Sequence, residues 1–201
     1  MEGEAQSLGL TFSHWSETLS DAKIATPFFL SGSAGFKNVV SGHYAGMNID
    51  VFDYSHTSGG AQNTSITIQT VVVYTRDVDL PTFALGPGGL TGKIIGALDH
   101  QNVEVTPDKE FLHHHSVRGQ DKERIKALFS EPLIEFVKQL DRTKAWQIEG
   151  AGNKLVIYRY AHQVKPAVLK DFLQETSSIA QSFFASAGST KSSIFSVSSN
   201  R

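Results

Sequence analysis

Three consecutive histidines, His113-His114-His115, are the residues of this chain best suited to chemistry. Imidazole is the commonest protein ligand for a transition metal, and a catalytic zinc takes three protein ligands and leaves its fourth position to water. The apolar spacing of Phe111–Val117 predicts a strand, on which His113 and His115 share one face and His114 points to the other. Two imidazoles make an incomplete ligand set. His100, Glu104 or Asp108 would have to supply a third, and each imidazole would need an acceptor for its second nitrogen. A completed set would make a metal-dependent hydrolase using His113 and His115. A half-exposed strand carrying polar aromatic side chains is the plainer account of the same residues.

The other candidates are weaker. Gly86-Pro87-Gly88-Gly89-Leu90-Thr91-Gly92-Lys93-Ile94 is glycine-rich and precedes an apolar helical pattern, but a phosphate loop needs glycine where Pro87 stands and a hydroxyl where Ile94 stands. Asp50 and Asp53 are an odd number of residues apart, so a regular strand sends their carboxylates to opposite faces, and His56 follows them. His43, Tyr44, Arg76, Asp77 and Arg159 read as rim charges or satisfied hydrogen bonds. No nucleophile elbow and no His-Glu-x-x-His run occurs. Phe172, Phe183 and Phe184 could line an apolar ligand site between a sheet and the last helix, although core packing is the commoner fate of such a stripe.

Composition narrows the classes. The chain has 201 residues, 40% hydrophobic and 19% charged, enough for one core that buries roughly 70% of the unfolded chain's surface. It has no cysteine, which removes disulfides, thiolate metal sites and thiol catalysis. A net charge of −2 removes the electrostatic case for nucleic acid. That balance divides unevenly: residues 1–100 hold 9 acidic and 4 basic side chains, and the remainder 11 and 14. The opening Met-Glu-Gly-Glu-Ala is acidic where a signal peptide is basic, and no apolar run approaches the ~20 residues of a membrane span. A cytoplasmic location without an integral membrane segment, and no cofactor, are the expectations.

The elements that must position these residues follow from periodicity. A short helix around Glu4–Leu10 and a connection to Pro27-Phe28-Phe29-Leu30 precede strands at Phe36–Ser41 and Met47–Tyr54. The β-branched run Ile66–Tyr74 is a further strand, joined to the previous one by a long polar loop over Ser55–Ser65. Gly86-Pro87-Gly88-Gly89 breaks the chain before a short helix carrying Leu90, Ile94, Ile95 and Leu98. A helix pair follows, the first opened by Gly119 with Ile125, Leu128 and Phe129 on one face. The second has Ser130 as N-cap, Pro132 in its first turn and a stripe of Leu133, Phe136, Val137 and Leu140. Lys144–Glu149 and Lys154–Tyr160 read as a second hairpin turned by Gly150-Ala151-Gly152-Asn153. From Pro166, Leu169, Phe172, Leu173, Thr176, Ile179, Ala180 and Phe183 repeat at helical spacing. Beyond residue 185 the serine-rich end offers little apolar surface to offset its ordering entropy, so 186–201 is expected to be a disordered tail behind a single domain. Strands joined by hairpins rather than by helical crossovers give an α+β class with a mainly antiparallel sheet.

Several phrases recur in a set order: Gly42 to Gly46 before Val51-Phe52-Asp53-Tyr54, then Gln69-Thr70-Val71-Val72-Val73 and Leu80-Pro81-x-Phe83-x-Leu85. Val103-x-Val105 to Phe111, Val117-Arg118-Gly119-Gln120-Asp121 and Leu128-Phe129 complete the set. Together, over roughly Ala5 to Phe184, they resemble a bacterial family of uncharacterised proteins, many of which carry this domain behind predicted transmembrane helices. The resemblance implies a stable, reusable fold unit; the family has no established activity, so no catalytic residue carries over from it. The lack of a complete acid/base, nucleophile or metal constellation, and the long polar Ser55–Ser65 loop as an adaptable surface, make the leading expectation a non-catalytic binding or scaffolding domain that meets a protein partner and through it a membrane.

Overall fold

The structure, a computed structural model, describes residues 1–16, Thr26, 34–60, 63–88 and 101–198. Helix α1 (Glu2–Ser7) leads into strands β1 (Thr11–Ser13), β2 (Ala34–Tyr44), β3 (Met47–Gly60) and β4 (Asn63–Pro87). Helix α2 (Lys109–His114) and strand β5 (His115–Gly119) follow, then helices α3 (Lys122–Leu128) and α4 (Glu131–Gln139). A 3-10 turn at Arg142–Lys144, strand β6 (Trp146–Arg159), a second 3-10 turn at Pro166–Val168 and helix α5 (Leu169–Ser198) complete the chain. The strands form one antiparallel sheet in the order β1-β2-β3-β4-β5, with β6 also on β4. The α+β class, the mainly antiparallel sheet and the long C-terminal helix are as the sequence predicts.

Strand β4 organises the sheet. Its Val71–Thr75 stretch lies between β3 and β6, and its Phe83–Leu85 stretch lies between β5 and β6, so β3 and β5 occupy one edge in succession. Between the two stretches β4 advances from Thr75 to Leu80 while β6 moves only from Lys154 to Gly152. The surplus residues bulge out of the ladder and bend the pair. Gly152 turns with φ +57°, and at Gly150 the Phe83 ring lies so close that an added Cβ would fall 2.3 Å from it.

One sheet face carries Val40, Ile49, Val51, Val72, Leu155 and Ile157 beneath the helices. Phe83, stacked on Phe183 at 5.6 Å and edge-on to Phe129 at 5.7 Å, sits at the centre of that core. Tyr74 and Thr176 share a hydrogen bond of 2.9 Å that ties β4 to α5, and burial pushes the Tyr74 hydroxyl pKa up. The other face has a smaller buried cluster of Val39, Phe52, Tyr54, Val71, Val73, Val156 and Tyr158.

Five local expectations are corrected. The Ser55–Ser65 loop is instead a continuation of the hairpin, paired as far as Gly60 with Asn63, with Ile66 and Ile68 exposed. The second hairpin is the single strand β6, because the irregular stretch of β4 runs opposite Gly150–Asn153 and keeps them in the ladder. Phe111–Val117 is a helix followed by a strand, since Asp108 accepts from the backbone N–H groups of Glu110 (2.8 Å) and Phe111 (3.3 Å) and starts a helical turn. Gly119 ends β5, and Asp121 rather than Gly119 caps α3 by accepting from Arg124 N–H at 3.1 Å. The tail expected from Ser186 continues α5: Ser186 and Ala187 are buried, and Ser186 Oγ donates to the Leu128 carbonyl at 2.6 Å. The helix expected at Leu90–Leu98 and the Pro27–Leu30 segment lie outside the described residues.

Candidate functional site

Helix α2 owes its place to charge pairing on both sides. Lys138 of α4 donates to Asp108 Oδ2 at 2.7 Å and to Glu135 Oε1 at 3.1 Å, and Arg142 donates to Glu110 Oε1 at 2.6 Å. The Lys138 ammonium, then the Phe111 N–H, hold the Asp108 carboxyl below the usual carboxylate range, and the Arg142 guanidinium does the same for Glu110. Phe111 anchors the helix from within, its ring buried 5.0 Å from the His115 ring. At His115 the backbone turns extended and joins β4 as β5. Gly88 then passes so close that its N–H donates to the His114 carbonyl at 2.9 Å, while an added Cβ would lie 2.7 Å from the His113 carbonyl oxygen.

Between α2, α4 and the start of β6 this arrangement encloses a pocket of about 200 Å³. Leu85, Val137, Leu140, Trp146 and Ile148 form its apolar walls, and the three histidines, Asp141 and Arg142 its polar side. Among the described residues two polar atoms of the lining residues are buried without a hydrogen-bond partner, His115 Nε2 and Trp146 Nε1. Burial, with help from Arg142 and His114, pushes the His115 pKa down from 6.5 to about 4, so the ring is neutral at pH 7. Trp146 is 6% exposed, with the Arg159 guanidinium 5.2 Å from its ring centroid and the Phe172 ring 6.1 Å away.

The structure therefore brings His113, His114 and His115 to one pocket, but from a helix end and a strand start rather than from one strand face. Among the described residues no three His, Asp or Glu side chains converge as a metal-ligand set. Asp108 is engaged by Lys138 and by the α2 cap, Glu104 is exposed on the chain leading to α2, and His100 lies outside the described residues. Asp50 and Asp53 point to opposite faces as expected: Asp50 accepts from Ser41 Oγ at 2.6 Å, and Asp53 belongs to a separate cluster. There, Asp53 accepts from Thr70 Oγ1 (2.7 Å), Asn38 (2.8 Å) and Gln163 (2.7 Å) beside a groove formed with Met1, Phe12 and His14. Phe172, Phe183 and Phe184 are buried core side chains.

Sequence reasoning missed Trp146, Leu140 and Arg142 as pocket residues. Trp146 was hidden as one apolar position of an expected hairpin strand. A signal was present: a tryptophan directly after a polar Asp141–Lys144 break marks a large ring where a loop meets a sheet. Ala145, at φ +48°, makes that entry.

No protein-family model matches the chain, and no curated protein matches it. Among solved structures it is similar to the crystal structure of the mycobacterial trehalose monomycolate transport factor A, TtfA, with a TM-score of 0.64 and 16% sequence identity. The match covers 92% of this chain and 90% of that one. At this identity the likeness is one of fold.

Proposed function

We propose that this chain is a non-catalytic binding or scaffolding domain that acts beside a membrane, where a partner protein holds it. The observation that carries this reading is the sharing of its fold, over 92% of its length, with a protein described as a transport factor. The reading is also consistent with the resemblance of its motifs to a family many of whose members carry this domain behind predicted transmembrane helices. Among the described residues no helix is long and apolar enough to cross a membrane. The best-made buried carboxylate, Asp53, spends its oxygens on three neutral donors of its own chain, as a structural group does.

The test is recovery of the tagged full chain from detergent-solubilised membranes of its own cells. The expected result is one integral membrane protein in fixed ratio, with the purified pair re-forming at a Kd of ~1 μM or tighter. Recovery of the chain alone from membrane and soluble fractions alike would overturn the reading, as would hydrolytic turnover by the purified chain that depends on His113 or His115.

A further inference from the structure

We propose that the pocket between helix α2 and strand β6 binds a small, uncharged, mainly apolar molecule with one acceptor oxygen, the chemistry of an acyl ester or an aryl ketone. This concerns a small ligand and stands or falls separately from the partner protein proposed above.

Three features of the lining set the ligand class. Its body is apolar: Leu85, Val137, Leu140 and Ile148 surround a volume of about 200 Å³. That exceeds the ~150 Å³ of an apolar cavity that accepts benzene, so the space admits a ring or a short acyl chain. Its hydrogen-bonding capacity is of the donor kind. The Trp146 indole N–H can only donate, it belongs to a side chain 6% exposed, and it meets no acceptor among the described residues. His115 Nε2, also buried and unpartnered, donates in one of the two neutral tautomers. Both nitrogens are almost closed to solvent, so a ligand oxygen pairs with either one only after a small shift of its ring, and in doing so satisfies a donor that has no acceptor among the described residues.

Charge decides between a neutral acceptor and a carboxylate. Arg142 is the one lysine or arginine among the described lining residues, and Glu110 already engages it at 2.6 Å. Asp141 also lines the pocket and would repel an anion. The neutral His115 offers an anion no charge. A carboxylate entering this space would lose its hydration and meet, among the described lining residues, only the Arg142 cation that Glu110 already holds, whereas a carbonyl oxygen loses little and gains a donor.

The chain contains two tryptophans, Trp15 and Trp146, so a ¹⁵N-labelled sample shows two indole N–H signals that a Trp15→Phe variant assigns. The full chain is titrated with acetophenone and methyl hexanoate, with benzoate and hexanoate as charged counterparts and ethylbenzene as an aryl probe lacking oxygen. The expected result is a saturable downfield shift of the Trp146 signal by the ketone or the ester, at least about ten-fold tighter than by the matching carboxylate. The tighter of the two neutral probes identifies the ligand as aryl or acyl. Leu140→Trp, which fills the pocket from a half-exposed position, abolishes the shift. His115→Phe keeps the ring volume and brings acetophenone closer to ethylbenzene in affinity. No saturable shift with either neutral probe, equal binding of the carboxylates, or undiminished binding in a folded Leu140→Trp chain each overturns the proposal.

Discussion

The Asp53 cluster and the histidine pocket both bury polar atoms against the same sheet, and they differ in how those atoms are partnered. At Asp53, β2, β3, β4 and the segment after β6 each contribute one side chain, and both carboxylate oxygens accept hydrogen bonds. A bulge between Lys37 and Val40, where Asn38 adopts φ +52°, accompanies the contribution of β2. Thr70 Oγ1 in turn accepts from the Val164 N–H at 2.8 Å, closing the network onto the chain that leads to α5. At the pocket the same sheet presents His115 Nε2 and Trp146 Nε1 with no acceptor. The roomier groove, about 590 Å³ against about 200 Å³, thus lies beside the more completely satisfied group, and it is hydrogen-bond accounting rather than volume that separates a strut from a binding site.

Mutation can break this contrast, and the largest effect is expected at the strut. Asp53→Ala leaves the donors of Thr70, Asn38 and Gln163 without their acceptor and should cost about 3 kcal/mol in urea unfolding. A loss below about 1 kcal/mol would show that the cluster does not hold these elements together.

Gly150→Ala comes next, at about 2 kcal/mol, because its Cβ meets a Phe83 ring that Phe129 and Phe183 already confine. Calorimetric melting of that variant measures how tightly β6 is seated next to the pocket; an unchanged Tm would show that Phe83 can move aside.

The third effect is one of pH. The unfolded His115 takes up its proton near 6.5 and the folded one near 4, so its contribution is fully present above pH 6.5 and is lost as pH falls toward 4. Allowing for its partial exposure, the loss is about 1 kcal/mol, read as the difference between the stability curves of the parent chain and His115→Phe. Parallel curves would show that burial does not hold the ring neutral.

The smallest effect is that of His115→Phe at pH 7, which removes an unpartnered nitrogen and retains a ring. Its stability should lie within about 0.5 kcal/mol of the parent or exceed it. A loss as large as that of Asp53→Ala would mean that the nitrogen is engaged after all, and the two regions would no longer differ.

Much of this architecture was legible from local pattern. The β-branched Ile66–Tyr74 run forms a strand that is buried from Gln69 on, the Ser130-Glu131-Pro132 start opens a helix, and the 3.6-residue repeat from Leu169 to Phe184 faces the core, each as expected in type. What failed were signals with two local solutions. Gly150-Ala151-Gly152-Asn153 is good turn chemistry, and a partner strand with surplus residues keeps Gly150 and Gly152 in the ladder even though Gly152 takes φ +57°. Asp108 favoured either a turn or a cap, and the Lys138 and Arg142 contacts lie with the helix.

The sequence by itself determined the class of the fold, the absence of thiol chemistry and the richness of one short segment in histidine, because composition and periodicity are local properties. Only the tertiary structure decided that those histidines border a pocket with Trp146 and Leu140. It also decided that Arg142 is already engaged there and that Asp53 is a strut. Each of these depends on which side chains distant in sequence come within hydrogen-bond or van der Waals reach, and no local pattern encodes that.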